Sequence, residues 1–146
     1  MNLTVYLSGE IHSDWRERIE SGASYLGLAV TFTRPVTDHA ASDAAGDVLG
    51  KETCGYWRDQ KSARVNALRT RTLIDSCDVA VVRFGEKYKQ WNAAFDAGYC
   101  AAKGRPYITL HNEEQVHALK EVDAAALAWA RTPEQVVEIL RYVIGT

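Results

Sequence analysis

Asp78 to Phe84 reads DVAVVRF, a short apolar run that suits a strand covered on both faces and marks the centre of a sheet. The segments on either side of it are helical. Upstream, Asp59 to Ser76 places Val65, Leu68 and Thr72 on one side and carries Arg64, Arg69 and Arg71, which read as a solvated face. Downstream, Gln90 to Lys103 is alanine-rich, with an apolar stripe of Trp91, Ala94, Phe95, Gly98 and Ala102 ended by Gly104. Asn92, Asp96, Tyr99 and Lys103 fall on its polar side. Arg105 to Leu110 then returns to strand.

The same alternation extends to both ends of the chain. Leu3 to Ser8 (LTVYLS) is a strand that stops at Gly9, and a helix follows with Ser13 as N-cap and Trp15, Ile19, Ala23 and Leu26 at helical spacing. Leu28 to Thr33 is a second strand, ended by Arg34-Pro35. From Val36 to about Trp57 no period is sustained, and the expectation is a long loop with the length of a functional one. Glu113 to Lys120 reads as helical and Ala125 to Arg131 as a short strand. Thr132-Pro133-Glu134 opens a last helix, with threonine as cap and proline at its first position.

Five strand–helix units imply an α/β fold, a doubly wound parallel five-stranded sheet of flavodoxin-like order 2-1-3-4-5 with helices on both faces. The 146 residues, 47% hydrophobic and 25% charged, suit one domain spanning 1–146 with an ordinary core. A net charge of -2 gives no electrostatic footprint for duplex nucleic acid or an anionic membrane. Cys54, Cys77 and Cys100 form no Cys-x-x-Cys pair and are odd in number, which suggests reduced thiols. With no secretory n-region and no apolar run near about 18 residues, the expectation is a soluble cytoplasmic protein.

In an open parallel sheet, ligands bind beyond the carboxyl ends of the strands, near the switch between strands one and three. That rule selects Ser8, Gly9, Glu10 and His12 after the first strand. It selects Gly85 after the third, with Asn92 and Asp96 on the helix that follows, and His111 and Asn112 after the fourth. One glycine stands where a dinucleotide fingerprint needs three, and no phosphate-loop lysine motif exists, so binding of NAD or ATP through those motifs is not expected. Four histidines without ligand spacing suggest neither a metal centre nor a catalytic triad.

The opening Tyr6 to Arg16 (YLSGEIHSDWR), the run DVAVVRF and Ala93 to Leu110 (AAFDAGYCAAKGRPYITL) resemble the YtoQ family, small bacterial proteins classed beside the nucleoside 2-deoxyribosyltransferases. The wider superfamily shares a doubly wound sheet and carries Glu-Leu-Gly-x-Ala and then Gly-Lys-Pro after the central strand, the glutamate being the nucleophile that attacks the anomeric carbon. Asp96-Ala97-Gly98 and Gly104-Arg105-Pro106 fall at those positions here. The resemblance thus implies Asp96 as nucleophile in transfer or hydrolysis at the N-glycosidic bond of a nucleoside or nucleotide. Glu10, the carboxylate nearest the expected crevice, is the second catalytic candidate, with Glu10 or His12 to orient the sugar or shuttle the proton. Ser8, Gly9, His12, Gly85, Asn92, His111 and Asn112 would bind the substrate, with no metal and no cofactor, in a homo-oligomer. Aspartate is one methylene shorter than glutamate and reaches about 1.5 Å less far. The alternative expectation is therefore a catalytically silent nucleotide- or sugar-binding module of the same fold.

Overall fold

The computed structural model describes residues 1–145. Five parallel strands, β1 (Leu3–Gly9), β2 (Val30–Thr33), β3 (Val79–Arg83), β4 (Tyr107–Leu110) and β5 (Ala128–Ala130), form one sheet in the order β2-β1-β3-β4-β5. The expected fold class and strand order are both observed. The chain reverses its direction of winding between β1 and β3, which pair from Val5–Val79 to Gly9–Arg83, and the carboxyl edge at this switch is where an open parallel sheet places its ligand crevice.

Side chains alternate across each strand and sort the core into two layers. Leu3, Val5 and Leu7 of β1 pack under α1 (Trp15–Tyr25) and α6 (Pro133–Ile144), against Trp15, Ile19, Val136 and Leu140. Tyr6, with Ala80 and Val82 of β3, packs on the opposite face under α3 (Gly55–Ser76) and α4 (Trp91–Ala102), against Ile74, Ala93, Ala97 and Cys100. Thr132 caps α6 as its sequence requires, its hydroxyl accepting from the Gln135 amide at 3.2 Å.

Several sequence expectations are corrected. The segment after β2 is not a long loop: it folds into α2 (His39–Asp43) and a 3-10 turn at Ala45–Leu49, and α3 starts at Gly55. Asp38 caps α2 by accepting from the Ala41 amide, and Asn66 and Ser62 of α3 bond to Ser42 and to the Asp43 carbonyl. These elements carry no apolar stripe because polar side chains hold them, which is why hydrophobic periodicity misses them. Ser13 does not cap α1; Asp14 occupies that position, and the Ser13 hydroxyl turns back to Glu10. The expected helix from Glu113 to Lys120 is instead a 3-10 turn at Glu113–Gln115 followed by α5 (Lys120–Ala125).

The facing of α4 is also different. Trp91 and Phe95, expected on its buried stripe, are 73% and 61% exposed, while Ala93, Ala97 and Cys100 meet the sheet. Small residues let the helix axis approach the strands closely, and the large aromatic rings are turned to the crevice. Leu68 of α3 is likewise exposed; the inward side of that helix runs through Asn66, Thr70 and Ile74.

Candidate functional site

Beyond the carboxyl end of β1 lies a cavity of about 760 Å³ walled by α3, α4 and residues from 35 to 43. The first wall is the turn from β1 to α1. Gly9 adopts a φ of 110°, and a Cβ there would lie 2.1 Å from the Arg83 carbonyl oxygen, so only glycine lets the strand end this close to β3. The main chain then turns around a buried guanidinium. Arg16, 2% exposed, donates to the carbonyl oxygens of Leu7 (3.1 Å), Gly9 (3.0 Å) and Glu10 (2.7 Å), and Trp15 Nε1 also donates to Glu10 at 2.8 Å. Burial lowers the Arg16 pKa to about 10, which leaves it cationic at neutral pH.

This strap aims Glu10 into the crevice. Glu10 is 6% exposed; its Oε1 accepts from the His12 amide and its Oε2 from the Ser13 hydroxyl at 2.5 Å. Gly85 backs it so closely that an added Cβ would lie 2.6 Å from Glu10 Cγ. His12 is exposed at the rim, its ring 4.8 Å from that of Tyr88.

The second wall brings in Asp96. Even-numbered positions of β1 face α3 and α4, so Ser8 lies on the same side as Tyr6 and is completely buried. Its hydroxyl donates to Asp96 Oδ2 at 2.6 Å. Burial raises the Asp96 pKa from its usual 3.8 to about 6, with the Ser8 hydrogen bond pulling the other way. The group is therefore ionised at neutral pH yet more basic than an ordinary carboxylate, a property common at reactive sites. Tyr6 lies alongside, its hydroxyl 3.5 Å from Thr70 Oγ1 and its pKa raised by burial.

Of the residues singled out in the sequence, Gly9, Glu10, His12, Asn92 and Asp96 line the cavity together, Ser8 anchors Asp96 from beneath and Gly85 backs Glu10. His111 and Asn112 are not brought there. The fully buried His111 stacks on Trp129 with ring centroids 5.2 Å apart; its Nε2 lies 2.9 Å from both Asp123 carboxylate oxygens and its Nδ1 2.7 Å from the Asn112 carbonyl. These contacts tie β4 to α5 and β5, away from the β1–β3 switch. Sequence reasoning also overlooked the α3 wall. Ala63, Asn66, Ala67, Thr70, Arg71 and Ile74 share one helical face on the cavity, with Arg69 at its edge, and only the 3.6-residue period of these mixed residue types could have revealed them. Among the described residues, no cluster of three or more His, Cys, Asp or Glu side chains forms a metal-ion site, and no helix is long and apolar enough to cross a membrane.

The family described as nucleoside 2-deoxyribosyltransferase YtoQ matches residues 6–144. The chain belongs to that family. Its similarity to the YtoQ protein of Bacillus subtilis (strain 168) is 40% identity over 147 residues, covering 100% of this chain and 99% of that protein. Among solved structures, a conserved protein from Enterococcus faecalis V583 is similar over 98% of this chain and 99% of its own, at 14% identity and a TM-score of 0.64. A 2-deoxyribosyltransferase from the psychrotolerant bacterium Bacillus psychrosaccharolyticus is similar over 92% of this chain and 90% of its own, at 12% identity and a TM-score of 0.53. Both structural likenesses concern the fold, and YtoQ membership is carried by the family match and the Bacillus subtilis relative.

Proposed function

We propose that this YtoQ-family protein cleaves or transfers at the N-glycosidic bond of a nucleoside or nucleotide, with Asp96 as nucleophile. The observation that carries this reading is the half-buried, Ser8-anchored carboxylate of Asp96, its pKa raised to about 6, sharing one cavity with Glu10 beyond the end of β1. Cleavage of this bond builds positive charge at the anomeric carbon, and a carboxylate held out of bulk water stabilises or traps that charge by the logic of retaining glycosidases. An Asp96 oxygen bonds to the anomeric carbon as the carbon–nitrogen bond breaks. The bonding pair leaves with the base, which takes up a proton. Water or an acceptor base then displaces the ester and restores the carboxylate. Both Glu10 oxygens accept hydrogen bonds in the resting site, which suits this side chain to orienting sugar hydroxyls, and His12 at the rim suits the delivery of the proton to the leaving base.

Incubation with a panel of nucleosides and nucleotides, with and without an acceptor base, tests the reading. Free base or an exchanged product should form and should be lost in Asp96→Asn; no product at high enzyme concentration overturns it. The fixed Ser8–Asp96 contact also favours a second reading, a binding module whose carboxylate is held short of the sugar. Nucleotide binding that survives Asp96→Asn, in a protein without turnover, selects it. In either case the protein acts in the cytoplasm, in nucleotide metabolism, as a homo-oligomer. The exposed Tyr88, Trp91 and Phe95 at the cavity mouth support self-association, and a monomer by light scattering at working concentration counts against it.

A further inference from the structure

The cavity carries charge that glycosidic chemistry leaves unused. Its lining includes three carboxylates, Glu10, Asp43 and Asp96, and three cations, Arg69, Arg71 and Lys89. Every carboxylate is engaged: Glu10 by the His12 amide and the Ser13 hydroxyl, Asp43 by His39 at 3.6 Å, and Asp96 by Ser8. The cations form no ion pair. Among the described residues, no carboxylate oxygen lies within 4.0 Å of Arg69, Arg71 or Lys89.

Arg71 stands on the cavity-facing side of α3 and projects towards α4, its guanidinium carbon 5.9 Å from the Phe95 ring centroid and 5.8 Å from that of Tyr99. Arg69 flanks the same face, one nitrogen donating to the Arg34 carbonyl at 3.1 Å and its other donors uncommitted by any ion pair. Lys89 lies at the mouth, 5.5 Å from the Trp91 ring. Unpaired guanidinium groups on a concave wall are suited to a phosphate, whose oxygens match their fork of donors.

Stereochemistry says which phosphate. In a β-nucleoside the base and the 5′-carbon lie on one face of the sugar, and the 3′-oxygen on the other. A carboxylate that displaces the base attacks from the 3′-oxygen's face. A 3′-phosphate would therefore meet Asp96 and Glu10, whereas a 5′-phosphate is carried away from them. We infer that Arg71 and Arg69 form a phosphate subsite and that the cavity takes a nucleoside 5′-monophosphate in preference to the neutral nucleoside. This inference rests on the glycosidic reading of the cavity, because it takes Asp96 to mark the attacked face of the sugar.

Calorimetry on the Asp96→Asn protein, with a 2′-deoxynucleoside, its 5′- and 3′-monophosphates and inorganic phosphate, separates binding from turnover. The 5′-monophosphate should bind at least about tenfold more tightly than the nucleoside, as expected for charge-assisted hydrogen bonds, and the advantage should shrink with added salt. Arg71→Met and Arg69→Met should each reduce that advantage while leaving nucleoside affinity within about twofold. Equal affinity for nucleoside and 5′-monophosphate, a preference for the 3′-isomer, a 5′-preference untouched by both substitutions, or no binding of any of them overturns the subsite. If either arginine variant fails to fold by circular dichroism, the ligand ratio and its salt dependence in the Asp96→Asn protein decide. Turnover by the unsubstituted protein is read separately. A 5′-preference without turnover sustains the subsite and sinks the glycosidic reading, and turnover of nucleosides without a phosphate preference does the reverse.

Discussion

Ser8 and Asp96, 88 residues apart in sequence, meet through a 2.6 Å hydrogen bond from a fully buried hydroxyl to a carboxylate on the neighbouring helix. The bond opposes the burial that raises Asp96 to about 6. If ionised Asp96 is the reacting form, activity rises with pH through about 6 and then levels off. Ser8→Ala removes a donor to a charged group, worth about 1.5 to 3 kcal/mol, so the acid limb should move up by about one pH unit or more. A pH–rate profile, or an NMR titration of the Asp96 carboxyl, checks the shift.

The same carboxylate costs stability. Its folded pKa lies above its unfolded value of 3.8, so the native state binds more protons than the unfolded chain between about pH 4 and 6. Stability contributed by this group is present below pH 3.8 and is lost as the pH rises through about 6. A shift of about two units corresponds to roughly 3 kcal/mol. Asp96→Asn should therefore raise the melting temperature by about 5 °C or more at pH 7, and by much less at pH 4, while abolishing turnover. Thermal unfolding at the two pH values tests this; equal shifts at both would place the carboxylate in water.

Two glycines separate fold from site. A Cβ on Gly9 would sit 2.1 Å from backbone at a φ of 110°, so Gly9→Ala should cost about 3 kcal/mol or more in chemical denaturation. The three atoms nearest a Cβ on Gly85 all belong to the Glu10 side chain, the first of them 2.6 Å away. Gly85→Ala should cost about 1 kcal/mol yet displace Glu10 and weaken nucleotide binding by tenfold or more, a split that denaturation and calorimetry resolve together.

His111 is expected to act on the fold alone. Its ring bonds to Asp123 at 2.9 Å and stacks on Trp129, outside the cavity. His111→Asn should destabilise the protein by about 2 to 3 kcal/mol, because a buried polar pair loses one partner, and nucleotide affinity in the folded variant should stay within about twofold.

What the sequence discloses depends on which force holds each part. The apolar run from Val79 to Val82 and the Thr132-Pro133 opening announce themselves because burial and capping act on neighbouring residues. α2 is held instead by Asp38, Ser62 and Asn66 through polar bonds that leave no hydrophobic period. The facing of α4 is misread because Trp91 and Phe95 are the most apolar residues of their stretch, whereas close approach to the sheet selects Ala93 and Ala97. The carboxyl-edge rule finds Glu10 and Asp96 but also selects His111 and Asn112, since it names strand ends without saying which of them open on the crevice. Arg69 and Arg71 read as a solvated face but line the cavity, because an arginine on a helix looks alike in sequence whether water or a cavity lies beyond it.

The strap around Arg16 grips main-chain oxygens of Leu7, Gly9 and Glu10, and the amide of His12 does the rest. None of those bonds involves the side chain of Ile11, a residue that lines the cavity. That position can accept new residues while the turn keeps its shape, so ligand preference can be redesigned there at little risk to the scaffold.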